Sequence, residues 1–219
     1  MQDYYNPQAK RIAVMGGTFD PIHYGHLVTA EAVRHEFQLD QVLFIPTGKP
    51  PHKAADTVSD PESRYLMTLL ATESNDHFYA SRMEIDRSGF TYTIDTIHAL
   101  QQIYPTDTEI FFITGADAFY QMFSWHHAED LLKTCTFVAA TRPGYQKEEL
   151  IQRIHATIQN HPMQKFHFLE VPALAISSSD IRARVRSGYP IKYLVPEAVE
   201  NFIKKHRLYQ KEEHSHDIS

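Results

Sequence analysis

Six short β-rich apolar runs, Ile12–Met15, Val42–Ile45, Phe78–Ala80, Ile110–Thr114, Phe137–Ala140 and Phe166–Val171, are mostly separated by stretches with helical spacing. Those stretches are Leu27–Phe37, Pro61–Glu73, Tyr92–Tyr104, Ala116–Met122, Ala128–Leu132, Lys147–Gln159, Ser178–Ser187 and Pro196–His206. Neighbouring parallel strands need a long crossover, and a helix supplies one. The alternation therefore predicts an α/β fold: a doubly wound parallel sheet with helices on both faces and a small C-terminal helical region at about 178–209. A chain of 219 residues with 42% hydrophobic content can bury one full core. We expect one domain over 11–209, an N-terminal extension at 1–10 and a flexible tail at 210–219, with residues 1–9 and "KEEHSHDIS" read as frayed ends.

The net charge of −6 gives no reason to expect a surface for polymeric nucleic acid, which usually requires a basic footprint. Cys135 is the only cysteine, which excludes an internal disulfide and fits a reducing compartment. No apolar run approaches the roughly 18 residues of a membrane span, and "MQDYYNPQAKR" lacks the apolar centre of a signal peptide. The expectation is a cytoplasmic protein without a membrane partner.

Ligands of open parallel sheets bind beyond the carboxyl ends of the strands. Here the loops after strands read "GGTFDPIHYGH", "PTGKPPHK", "GADAFYQMFSWHH", "TRPGY" and "PALAISSSDIRARV". The first ends neither in the Gly-Lys-Ser/Thr of a phosphate loop nor in G-x-G-x-x-G. It places His23 and His26 three apart at a helix start, so their side chains share a direction. Spacing alone leaves three readings open. The imidazoles could hold a metal, with Asp20 as the only local third ligand; they could donate to a phosphate at the helix N-terminus; or they could be a structural pair. Gly25 would let a base or phosphate approach the backbone. The insert "PTGKPPHKAADTVSDPES" is a candidate binding loop or a plain surface loop.

"ISSSDIRARV" offers Ser177, Ser178 and Ser179 ahead of a helix, with Asp180 completing a capping-box-like pattern and Arg182 and Arg186 on one face. Hydroxyls, backbone N–H groups and arginine could grip a triphosphate; an arginine stripe on a surface face is the plainer alternative. Trp125, the single tryptophan, follows a strand, where it could pack into the core or stack on a ligand ring. Asp117 could contact a ribose or cap the next helix.

Together these stretches resemble a known family. "GGTFDPIHYGHL" has the H-x-G-H form of the nucleotidyltransferase superfamily, and "ISSSDIR" is similar to its second signature. "PTGKPPHK", "SGFTYTIDTI", "GADAFYQMFSWHHAEDLL", "TRPGY" and "YLVPEAVENFIKKHRLY" resemble, in the same order, bacterial nicotinate mononucleotide adenylyltransferase. The likeness runs from about Arg11 to Tyr209. Ser179 departs from the threonine frequent in the second signature, and about ten residues precede the first strand where close relatives have few.

The resemblance implies a Rossmann-like fold and adenylyl transfer from ATP to nicotinate mononucleotide, giving nicotinate adenine dinucleotide and pyrophosphate in NAD biosynthesis. It implies Mg2+ carried mainly by ATP and pyrophosphate oxygens, with no dedicated protein metal site. His23, His26 and Arg182 would be catalytic. Gly16, Gly17, Thr18, Phe19, His23, Gly25, His26, Gly115, Asp117, Ile176, Ser177, Ser178 and Arg182 would bind ATP. Gly17, Thr18, Lys49, His52, Lys53, Thr91, Tyr92, Thr93, Trp125 and Arg142 would bind the mononucleotide, with its ring against Trp125 and its carboxylate on backbone N–H groups near Tyr92 and Thr93. A homo-oligomer stays open. Two rivals remain: transfer to pantetheine phosphate or glycerol phosphate, which offer no ring for Trp125, and a non-catalytic nucleotide sensor, which has no evident need for transition-state donors.

Overall fold

The computed structural model describes residues 6–49, 58–115, 119, 121–122, 124–142, 148, 151–152, 165–172 and 174–210. Six parallel strands, β1 (Arg11–Gly17), β2 (Gln41–Pro46), β3 (Phe78–Ala80), β4 (Glu109–Gly115), β5 (Thr136–Thr141) and β6 (Phe166–Glu170), form one sheet in the order β3-β2-β1-β4-β5-β6. Chain order runs outward in one direction from β1 and then in the other from β4, so the switch point lies between these two central strands.

The strands read as near-continuous apolar runs because both faces are covered. Ile12 and Val14 of β1, Leu43 and Ile45 of β2, Ile110 and Phe112 of β4, and Phe137 and Ala139 of β5 enter one core. Ala13 and Met15, Val42 and Phe44, Phe111 and Ile113, and Val138 enter the other. The first core is closed by α3 (Thr93–Ile103), through Ile94, Ile97 and Leu100, and by α4 (Ala128–Thr134), through Leu131 and Leu132. The second is closed by α1 (Tyr24–Glu36), α2 (Pro61–Thr72), α5 (Ser178–Arg186) and α6 (Glu197–Lys205). These contribute Ala30 and Val33, Met67 and Ala71, Ile181, and Val199 and Ile203 respectively. The doubly wound expectation holds, and α5 and α6 supply the C-terminal helical part.

All six strand runs and six of the eight helix stretches are present; Ala116–Met122 and Lys147–Gln159 fall largely outside the described residues. Helix α1 starts at Tyr24, three residues before the apolar periodicity begins, which brings His26 into the helix. The expectation of a frayed start fails for residues 6–9. Asn6 exchanges two hydrogen bonds with the Gln41 side chain, Ala9 is 2% exposed within the first core, and the Ala9 carbonyl accepts Thr108 Oγ1–H. Polar residues in that stretch concealed a segment that is tied to the sheet's amino edge.

Candidate active site

The turn from β1 into α1 is built around two imidazoles. His23 is the N-cap of α1, and its backbone N–H donates to His26 Nδ1 at 3.2 Å. The rings stack with centroids 3.8 Å apart and planes at 26°, so they do share a direction. Because Nδ1 of His26 is the acceptor, the hydrogen of its neutral ring sits on Nε2. His23 is buried, its Nδ1 has no hydrogen-bond partner among the described residues, and burial pulls its pKa from 6.5 to about 4. Burial and the neighbouring His23 push His26 down as well.

Gly25 also serves a purpose that the sequence did not suggest. A Cβ at this position would lie 2.9 Å from His23 Nδ1, so the glycine leaves room for the imidazole pair. Gly17 likewise clears space for Phe19, whose ring would sit 3.0 Å from an added Cβ. Phe19 takes a left-handed backbone (φ 50°) that a bulky residue adopts only when its surroundings hold it. Its ring is buried and meets His26 edge-on at 5.1 Å.

A cleft of about 450 Å³ opens over the switch point, a volume suited to a nucleotide. Gly16, His23, Gly25 and His26 line it from the first loop. Thr114, Gly115, Thr141 and Arg142 line it from the ends of β4 and β5, and Leu174, Ile176, Ser177 and Ser178 from the loop into α5. The N-termini of α1 and α5 therefore meet at one cavity, and α1 has no acidic side chain in its first turn to compete for an anion. Sequence reasoning missed Thr114, Thr141 and Leu174 individually, although it singled out the loops after β5 and β6.

Gly17, Thr18, Phe19 and Arg182 are not among the residues that line this cleft. Ser178 Oγ–H donates to the Pro21 carbonyl at 2.9 Å, and Arg182 Nη1 donates to the Asp20 carbonyl at 2.7 Å, so the two signature segments are bonded to each other. Ser177 caps α5 by accepting the Asp180 N–H, whereas the Asp180 carboxylate turns to Arg184 rather than closing a box. Arg186 is exposed.

The third ligand of the metal reading is already committed elsewhere. Asp20 is 3% exposed and engaged by Tyr209 Oη, Ser59 N–H and Arg182. Among the described residues no group of three His, Cys, Asp or Glu side chains could hold a metal ion.

The second candidate group lies on the opposite core face. Trp125 is half-buried and meets Phe112 edge-on at 5.9 Å, while the Phe112 ring lies 3.7 Å from where a Gly16 Cβ would be. Trp125 thus packs against the core while part of its ring stays exposed. Tyr92 is the N-cap of α3 without a side-chain cap bond, and its ring lies 4.4 Å from His126. The Thr91 N–H donates to the Lys49 carbonyl, which joins the loop after β2 to the start of α3 where Thr93 is the first residue. Arg142, expected with this group, lines the cleft. Asp117, His52 and Lys53 lie outside the described residues.

With this geometry in view, a cytidylyltransferase-like family model matches residues 14–184. The chain is 55% identical over 203 residues to a probable nicotinate-nucleotide adenylyltransferase of Thermoanaerobacter sp. (strain X514), covering 93% of this chain and 96% of that one. The chain belongs to the nicotinate-nucleotide adenylyltransferase family. A second member, from Moorella thermoacetica, is 53% identical over 91% of this chain and 92% of its own. The fold of this family member also matches a solved Plasmodium falciparum nicotinic acid mononucleotide adenylyltransferase complexed with NaAD, with a TM-score of 0.74, 21% identity and coverage of 91% and 97% of the two chains.

Two buried side chains that sequence reading missed hold this adenylyltransferase's loops. Arg64, 1% exposed, donates to the carbonyls of Thr18, Gly48 and Ser59, and burial lowers its pKa despite Asp20 and Asp60 nearby. Glu84, 7% exposed, accepts Thr96 Oγ1–H at 2.8 Å, and burial raises its pKa. The Gly48 backbone packs so closely on Glu84 that a Cβ there would fall 2.1 Å from the Glu84 carbonyl oxygen. Nothing in the periodicity of α2 marks Arg64; only its burial does.

Proposed function

We propose that the chain transfers the adenylyl group of ATP to nicotinate mononucleotide, releasing pyrophosphate and forming nicotinate adenine dinucleotide, within NAD biosynthesis in the cytoplasm. One observation carries the reading: the cleft at the switch point joins two helix N-termini and a neutral histidine pair, with a half-buried tryptophan across Phe112 from Gly16. Family membership at 55% identity supports the same choice of substrates.

The chemistry needs no protein nucleophile. A phosphate monoester has its second pKa at about 6 and is already a competent anion near neutrality. Its oxygen attacks the α-phosphorus in line, forming one P–O bond while the α–β bridge breaks and its electron pair leaves with pyrophosphate. The protein has to align the two phosphates and donate to developing charge. His26 suits that task as a donor rather than a base, because Nδ1 is occupied and Nε2 carries the hydrogen. A phosphate oxygen beside the ring would accept that Nε2–H while the ring stays neutral. Arg182 spends only part of its five N–H groups on Asp20 and Ser179.

Magnesium would enter as MgATP, carried by phosphate oxygens and water, since among the described residues no carboxylate lines the cleft. The first-turn N–H groups of α3, uncapped by Tyr92, suit the nicotinate carboxylate, with Trp125 against the ring and Thr91 and Lys49 fixing the approach of the two loops. His52 and Lys53 would add positive charge for the mononucleotide phosphate.

The test is pyrophosphate release from MgATP with nicotinate mononucleotide, nicotinamide mononucleotide and phosphopantetheine in parallel. Release largely confined to the first acceptor is expected. Release with phosphopantetheine would keep the chemistry and overturn the role of Trp125, and silence with all three would favour a nucleotide sensor.

A further inference from the structure

Tyr209 stands far from the cleft in sequence yet reaches its supporting loop. After α6 the chain turns back through two left-handed residues, Arg207 (φ 52°) and Tyr209 itself (φ 63°), and the Leu208 N–H bonds the Ile203 carbonyl at 3.1 Å. Such backbone conformations in non-glycine residues persist where neighbouring contacts hold them. Here the contact is the Tyr209 hydroxyl, which donates to Asp20 Oδ1 at 2.7 Å and lies 3.9 Å from Met67 Sδ.

Resting on the adenylyl-transfer reading, we propose that Tyr209 is a positioning residue for the transfer step, acting through Asp20 on Arg182. Asp20 is held at three points: Oδ1 by Tyr209, Oδ2 by the Ser59 N–H at 3.3 Å, and Oδ2 again by Arg182 at 3.9 Å. Its carbonyl is in turn the acceptor for Arg182 Nη1 at 2.7 Å, and the next carbonyl, that of Pro21, accepts Ser178 Oγ–H. A shift of Asp20 therefore moves the acceptors of both second-signature side chains at once. The carboxylate is buried, so a lost hydroxyl donor cannot readily be replaced by bulk water. Burial and the adjacent Asp20 raise the phenol's pKa, which keeps it a donor across the working pH range. An apolar ring alone would fill the same space against Met67; the hydroxyl adds the bond to the loop that carries Asp20, Pro21 and then His23.

The experiment compares wild type, Tyr209→Phe, Asp20→Asn and the double variant in steady-state adenylyl transfer, with thermal unfolding on the same samples. Tyr209→Phe should lower kcat about tenfold while the KM values for ATP and mononucleotide stay within about twofold. The double variant should be little worse than Asp20→Asn alone, because both changes break one linkage. A folded Tyr209→Phe enzyme with unchanged kcat, a loss matched by the unfolded fraction, or additive effects in the double variant would each overturn the proposal. Tyr209→Leu guards against a misleading phenylalanine contact: it should lose at least as much kcat. If wild type itself forms no dinucleotide, the proposed function fails; if wild type works and Tyr209→Phe matches it, only the positioning role fails.

Discussion

The imidazoles of His23 and His26 lie face to face at 3.8 Å, and the backbone N–H of the first fixes the tautomer of the second. Stacked rings in a buried turn resist a second positive charge, so the free protein holds them neutral. The unfolded chain takes up a proton near 6.5, whereas folded His23 waits until about 4. Its contribution to stability is therefore complete above pH 6.5 and is lost as pH falls from there through 4. The loss amounts to about 3 kcal/mol. Urea midpoints for wild type and His23→Gln at pH 7 and pH 4 check this: the variant should lose less on acidification.

Gly25→Ala should impair chemistry more than folding. The added Cβ must displace the His23 ring, 2.9 Å away, and with it the stack on His26. We expect kcat to fall by about tenfold or more, with a melting temperature close to wild type. Steady-state kinetics beside thermal unfolding decides it, and an unchanged kcat would mean the pair's arrangement is dispensable.

The two halves of the site should separate kinetically. His26→Ala should reduce kcat about a hundredfold with little change in mononucleotide KM, as expected of a donor needed in the transition state. Trp125→Ala should mainly raise the mononucleotide KM, by about tenfold, as expected of a stacking surface. An unchanged turnover in His26→Ala would remove its assigned role.

Arg64→Met tests the loop hub. The change removes the donor from the carbonyls of Thr18, Gly48 and Ser59 in a place that is 1% exposed. A destabilisation of about 3 kcal/mol is expected from the stranded carbonyls. Chemical denaturation measures it; a change below about 1 kcal/mol would show that water or repacking satisfies them.

The strand runs and the parallel, doubly wound class of the sheet were the parts most legible from residues alone; the strand order came from the structure. Alternating apolar runs and helical stretches predict the parallel sheet and place the Gly16–Leu27 and Ile176–Arg182 segments in loops after strands; that the two bond to each other is a structural finding. What stayed hidden depends on tertiary contacts that leave no local pattern. Arg64 sits on a helix whose periodicity allows either face, Glu84 lies outside any regular element, and Tyr209 meets Asp20 across 189 positions. Gly25 lines the cleft, and its second role, leaving space for the His23 ring, has no signal in the sequence.

The central claim is a single in-line displacement aligned by donors, without a covalent nucleotidyl-enzyme. The most direct measurement is the stereochemical course with ATP made chiral at the α-phosphorus by sulfur substitution and nicotinate mononucleotide as acceptor. One displacement predicts dinucleotide with inverted configuration at that phosphorus. Retention would mean two displacements, and therefore an enzyme nucleophile that contradicts the account.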